Sequence, residues 1–364
     1  MMPRLSGNKG EWSEIYAFLR LLEIKRLYAA DSELNVKDNT FYNIINIIRN
    51  ETIGKLEFRI NRFNDTISVF NTDIDTELLT LSCDEFKGAA DNLYQEIINA
   101  TVSSFELPDT EDFLNLLNIS SIKAKSTDKS DIRIKIHDIN TGYETVQGFS
   151  IKSRLGSPST LVNAGRTTNF IFKVTGNIND SVMNDFNSCS RKFKDKFEVL
   201  GNNLCNITYD SMENCVFESN LQLIDGDLPK ICAYMLKEYY RSGINTVRDS
   251  VNSLNQRNPI GYDLSNGHPF YEYKFRKFLA ECALGMIPSR VWNGTVDATG
   301  GYIIVKEDGE VLCYHLFNRN EFEAYLINNT KFETASTSRH EFGSIYKENG
   351  EYYIKLNLQI RFIK

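Results

Sequence analysis

Asp131-Ile132-Arg133-Ile134-Lys135-Ile136, followed by Gly148-Phe149-Ser150-Ile151-Lys152, is the stretch on which the reading of this chain turns. Side chains alternate across a strand, so each run sorts into two faces. Ile132, Ile134 and Ile136 point one way, while Arg133 and Lys135 share the other face with Asp131. In the second run Phe149 and Ile151 turn inward and leave Gly148, Ser150 and Lys152 together on the opposite side. Antiparallel pairing of the two runs brings the Asp131 carboxylate near the Lys152 ammonium. A carboxylate that can hold a hard divalent cation, beside a lysine that can orient water or balance phosphate charge, is a minimal set for hydrolysing a phosphodiester. The same spacing also describes an ordinary surface ion pair, so these two residues need company.

The remainder of the chain sets bounds. Its 364 residues suffice for one large domain or two smaller ones, and 41% hydrophobic with 24% charged residues is ordinary for a folded soluble protein. Cys83, Cys189, Cys205, Cys215, Cys232, Cys282 and Cys313 are scattered, with no C-x-x-C pair. That pattern argues against a zinc site or a disulfide framework and fits a reducing cytoplasm. No apolar run approaches a membrane span, and the opening residues do not read as a signal peptide. A net charge of −7 argues against indiscriminate coating of nucleic acid, yet basic residues gathered in one cleft remain compatible with it.

Periodicity predicts an amphipathic helix over 10–30, carrying Trp12, Ile15, Tyr16, Leu19 and Leu22, and a second short helix over 41–50. Lys55–Asn61 and Thr66–Asn71 read as a hairpin, 84–99 and 109–117 as helices, and Lys123–Ser130 as a polar connector. The middle, from about 178 to 285, is mostly helical in pattern, notably 226–241 and 268–285. Two hairpins are expected near the end, around Asp308-Gly309 and Asn349-Gly350. The class is mixed α+β, a sheet flanked by helices.

One carboxylate seldom suffices for a catalytic Mg²⁺. Ser150 stands two before Lys152, where an acid would serve, and 153–179 contains no Asp or Glu. Glu11 and Glu14, three apart on one helical face, are the candidate replacements, although acids also favour a helix start for its dipole. Gln147 or the Ser150 hydroxyl can hold a metal-bound water. His137, His268, His315 and His340 show no metal-ligand spacing.

Four blocks in order resemble the HpaII-type restriction endonucleases. They are Gly7 to Tyr16, Gly148 to Ser153 with Ser157-Pro158-Ser159-Thr160, Ser338 to Gly343, and Lys355 to Phe362. The resemblance implies a PD-(D/E)XK nuclease that cuts both strands of duplex DNA with Mg²⁺ and is associated with the palindrome CCGG. It implies Asp131 as the metal-binding acid and Lys152 as the lysine of that class. Ser150 departs from the class pattern, and Glu14 is the favoured substitute. The implied organisation is a nuclease core over 1–177, a mostly helical segment over 178–264, and a helix plus β-rich DNA-recognition region over 265–364 packed on the core.

Reading CCGG needs donors for guanine and acceptors for cytosine. Three regions offer them. After Lys152 come Arg154, Ser157, Ser159, Asn163, Arg166 and Asn169; Ser336–His340 brings Arg339 and His340; a terminal strand aligns Lys355, Asn357, Gln359 and Arg361 on one face. That row also describes a plain solvated face, and the loop arginines equally suit phosphate. A palindrome leaves open a homodimer or one subunit nicking each strand in turn, with a cognate DNA methyltransferase as system partner. The rival readings are a nuclease with another or a modified-cytosine target, and a DNA-binding protein whose active site has decayed.

Overall fold

The computed structural model describes residues 4–123, 130–139, 141–189 and 192–364; most of the connector read between Lys123 and Ser130 lies outside them. The fold is mixed α+β, and the chain forms two compact units, each assembled from separate stretches. The first contains 1–159, 297–322 and 364, and the second 160–296 and 323–363. The boundary placed after residue 177 therefore moves to Ser159. The late hairpin also changes sides, because Gly301–Val305 hydrogen-bonds in parallel along Glu144–Ser153 and so joins the first unit's sheet.

That sheet has nine strands in the order Arg26–Ala30, Val311–His315, Gly301–Val305, Glu144–Ser153, Ile132–His137, Val36–Glu51, Gly54–Asn61, Thr66–Asn71 and Thr76–Ser82. Most pairs are antiparallel. Gly301–Val305 with Glu144–Ser153, and Val311–His315 with Arg26–Ala30, are parallel, which makes the sheet mixed. Arg26–Ala30 also pairs with Val36–Glu51, so six strands close into a ring of pairings.

The helix Lys9–Ile24 starts where expected because Asn8 and Glu11 cap it reciprocally: Glu11 N–H donates to Asn8 at 3.1 Å and Asn8 N–H to Glu11 at 2.9 Å. It ends at Lys25, whose φ of 59° breaks the helical path, and 26–30 become a strand instead of further helix. Trp12, Ile15, Tyr16, Leu19 and Leu22 are buried, forming one core with Ile132, Ile134, Ile136, Phe149 and Ile151. The alternation read in the two central runs thus sets which face is covered.

The short helix expected over 41–50 is wrong: these residues lie within the strand Val36–Glu51. Their apolar spacing mimicked a helix because the register shifts between Ile44 and Asn46, and such a bulge changes which alternate positions face the core. The run is rich in isoleucine, whose branched side chains favour the pleated conformation.

In the second unit Asn206–Met212, Asn169–Thr175, Glu351–Asn357 and Ile345–Glu348 form one antiparallel sheet. Thr160–Val162, Ile360–Phe362 and Thr330–Phe332 form another. The helices Leu228–Ser242, Val247–Arg257 and Phe270–Leu284 follow the expected helical middle closely. Asn349-Gly350, both at positive φ (51° and 81°), turn the hairpin Ile345–Asn357 as read. The terminal strand is corrected. It breaks after Asn357, and Ile360–Phe362 continues in a different sheet, so Lys355, Asn357, Gln359 and Arg361 do not form one row.

Candidate active site

Asp131 sits where the antiparallel ladder between Ile132–His137 and Glu144–Ser153 runs out. Its N–H still donates to the Phe149 carbonyl at 2.9 Å, but among the described residues no strand continues past it to receive the Ile151 N–H. The Asp131 carboxylate takes that place: Oδ2 accepts the Ile151 N–H at 2.7 Å and the Ser150 hydroxyl at 2.9 Å. A buried strand end would otherwise leave an orphan donor, so the fold itself fixes this carboxylate.

Ser150 does a second job. Its Oγ accepts the Lys152 ammonium at 3.0 Å while donating to Asp131, and thereby links the acid and the lysine in one hydrogen-bonded chain. The ammonium also lies 5.3 Å from the centre of the Tyr302 ring, supplied by the neighbouring parallel strand. Gly148 allows the approach: any side chain there would come within 2.7 Å of Ser130, the residue before Asp131. Asp131, Ser150 and Lys152 therefore gather on one side as the alternation required.

The helix Lys9–Ile24 brings in Glu14. Ser13 meets Ser153 hydroxyl to hydroxyl at 2.8 Å, tying this helix to the strand one residue past Lys152. Burial raises the Glu14 carboxyl from its ordinary 4.5 to about 8; the Asp131 charge pushes it the same way, opposed by Lys152 and Arg49. Glu14 accepts no hydrogen bond among the described residues, and Asp131 Oδ1 accepts none either. A carboxyl kept from ionising by burial and by the charge of Asp131 suits a divalent cation, which supplies the missing positive charge. Among the described residues no three His, Cys, Asp or Glu side chains cluster as a metal site. Two acids match Mg²⁺, which keeps several waters and takes remaining ligands from phosphate.

Glu11 is differently employed. It closes the helix cap and pairs with Lys123; these bonds outweigh burial and hold its carboxyl below the usual range. Gln147 is a correction: it lies on the core side of its strand, where Oε1 faces the His315 Nε2 at 2.5 Å, away from the face of Ser150 and Lys152. His315 Nδ1 accepts the Phe317 N–H at 3.0 Å, so Nε2 carries the proton and donates to Gln147.

His315 is fully buried, and desolvation lowers it from 6.5 to about 4 despite the Asp138 charge. A depressed base keeps its stabilising contribution above pH 6.5 and loses it as pH falls toward 4, because the unfolded state takes up the proton first. We expect the unfolding free energy to drop by about 3 kcal/mol across that window through this residue. His315→Gln should flatten that part of the pH dependence in denaturant titrations; an unchanged profile would remove His315 from the account.

The DNA-reading candidates fall in different settings. Ser157, Asn163, Arg166 and Arg339 are exposed, Arg154 and Ser159 half-buried. Asn169 and Asn357 are buried and bonded to each other at 2.7 Å, which corrects their reading as base-facing amides. The His340 carbonyl accepts Asn169 Nδ2 at 2.8 Å. Arg361 pairs with Glu333 at 2.8 Å, and Gln359 is half-buried between the two last strands. Glu213 escaped the sequence reading altogether, since nothing in its local pattern marks it, yet it receives Arg166, Asn169 and Lys355.

The sequence model of the family described as HpaII restriction endonuclease matches residues 8–362. The chain is 44% identical over 364 residues, the whole of both proteins, to the type II restriction enzyme HpaII of Haemophilus parainfluenzae. No solved structure matches. An α+β fold with an acid–serine–lysine chain at a strand end, in a chain so related, is that of a type II restriction endonuclease, a site-specific deoxyribonuclease. It belongs to the HpaII restriction endonuclease family. No helix of the described residues is long and apolar enough to cross a membrane.

Proposed function

We propose that this enzyme cuts both strands of duplex DNA at CCGG with Mg²⁺, through Asp131, Glu14 and Lys152. The observation that carries the reading is the Asp131–Ser150–Lys152 chain, with a buried Glu14 carboxyl that feels the charges of both Asp131 and Lys152. CCGG rests on the family resemblance. Asp131 Oδ1 and Glu14 would hold the cation, which supplies charge neutralisation for the scissile phosphate and acidifies the attacking water. Lys152 places its ammonium beside that water and offsets charge developing on the phosphoryl oxygens. Ser150 keeps the ammonium and the Asp131 carboxylate in register through its single hydroxyl. Products carry 5′-phosphates.

Exposed Arg166 and Arg339, with half-buried Lys355, are the basic groups proposed to reach DNA from the second unit. A four-base palindrome is served by a dimer or by successive nicks, and transient open-circular plasmid would mark the second route. A methyltransferase acting on the same sequence would protect the host DNA. Digestion of a sequenced plasmid with Mg²⁺, in unmodified and CpG-methylated form, followed by end-sequencing of fragments, tests the proposal. Cuts confined to unmodified CCGG are expected. Cutting elsewhere, or of methylated DNA alone, would replace the target, and intact plasmid would leave a DNA-binding protein without catalysis.

A further inference from the structure

Glu213 follows the strand Asn206–Met212 and gathers donors from segments far apart in the chain. Arg166 Nε and Nη2 donate to Oε1 at 3.2 and 3.1 Å; Asn169 Nδ2 and Lys355 Nζ reach Oε2 at 2.7 and 3.1 Å. Arg166 Nη1 meets Glu341 Oε1 at 3.3 Å. The Glu213 side chain is 18% exposed and Arg166 59%, so the carboxylate lies beneath the guanidinium it holds. An open cavity of about 570 Å³ adjoins them, lined by Ser338, Glu341, Tyr346 and Lys355 among others. Burial raises the Glu213 carboxyl, but its bonds to Asn169, Lys355 and Arg166 overcome this and hold it below the usual range, so it is ionised at neutral pH.

Two of the three cations that the functional reading assigns to DNA, Arg166 and Lys355, are thus already neutralised inside the second unit. Arg339, by contrast, pairs with no carboxylate among the described residues. A phosphate gains little from a cation that must first leave a carboxylate, because non-specific affinity scales with the positive charge free to displace counterions. Guanine O6 and N7 offer a directed pair of acceptors, which an arbitrary phosphate does not. We propose that Glu213 is a specificity-determining residue that withholds Arg166 and Lys355 from arbitrary phosphates and yields them to the cognate bases. The inference rests on the DNA-cleaving reading and adds the means of discrimination.

The test is Glu213→Gln, nearly the same shape without the charge. Binding is measured in EDTA to two duplexes of equal length, one with CCGG and one with it scrambled, from about 50 to about 200 mM salt. Non-cognate affinity should rise roughly three- to tenfold and its log–log salt slope steepen by about one to two. Cognate affinity should change less, so the ratio falls. Adding Arg166→Gln and Lys355→Gln to that variant should remove the gain. Lys355→Gln in the otherwise intact protein should weaken cognate binding and leave the non-cognate slope in place, which decides the matter if Glu213→Gln does not fold. An unchanged non-cognate slope in folded Glu213→Gln, or a slope reduced by about one in Lys355→Gln, overturns the proposal. Failure of the unsubstituted enzyme to cut CCGG plasmid would instead strike the functional reading, since that is seen in cleavage and the salt slopes in binding.

Discussion

Lys152→Ala should abolish plasmid cleavage, lowering the single-turnover rate by at least about 10³-fold, while duplex binding in EDTA stays close to normal. The reason is local. The ammonium is held by the Ser150 hydroxyl and the Tyr302 ring, with no carboxylate bonded to it directly among the described residues, so its charge is available to a phosphate. Loss of this contact should cost little stability, because a partly exposed cation–π pair contributes only about 0.5–1 kcal/mol. Lys152→Arg should rescue little, since a planar fork cannot occupy the place of a compact ammonium. Near-normal cutting by the alanine variant would end the assignment of Lys152 as catalytic.

The second large effect separates two acids three residues apart. Glu14→Gln should cut about 10²-fold more slowly and require more Mg²⁺, because it removes the only carboxylate proposed to complement Asp131. The same change should leave the metal-free fold as stable or more so above pH 4.5, where a buried carboxyl raised to about 8 resists the ionisation that the unfolded chain undergoes. Glu11→Gln should do the reverse. It should keep near-normal cutting and lose about 0.5 kcal/mol through the lost charge pair with Lys123, since a glutamine at the same position still accepts the Asn8 N–H of the cap. Rates from a quench assay and midpoints from denaturant titration distinguish them. If Glu11→Gln stops cleavage and Glu14→Gln does not, the ligand is Glu11; if both cut normally, the second acid lies off this helix.

Such opposed effects on activity and stability are expected where a site is built from groups that a fold alone would not choose. Among the described residues Glu14 has no donor and feels the charge of another acid, whereas Glu11, on the same helix, has every contact a structural residue wants.

Period-two alternation placed Asp131, Ser150 and Lys152 on one face and Ile132, Phe149 and Ile151 in the core, because in a strand that arrangement is a property of the backbone. Apolar residues at steps of three and four likewise announced the helix that carries Glu14. Alternation failed wherever the backbone departed from regularity. A bulge near Ile45 disguised a long strand as a helix, and a break after Asn357 dispersed what had read as a row of donors. Such irregularities leave little trace in residue types.

Local pattern in the chain was enough to set Asp131 and Lys152 on one face of two paired strands and to find the helix that follows Asn8, since each is specified by neighbours a few residues away. The double use of the Ser150 hydroxyl, the turning of Gln147 toward His315, and the meeting of Arg166, Asn169 and Lys355 on Glu213 depended on segments joined only by folding. A hydrogen bond between residues that distant has no period and no spacing. It exists because strands from distant parts of the chain, aligned in one sheet, bring the partners within about 3 Å, and that distance is a result of folding.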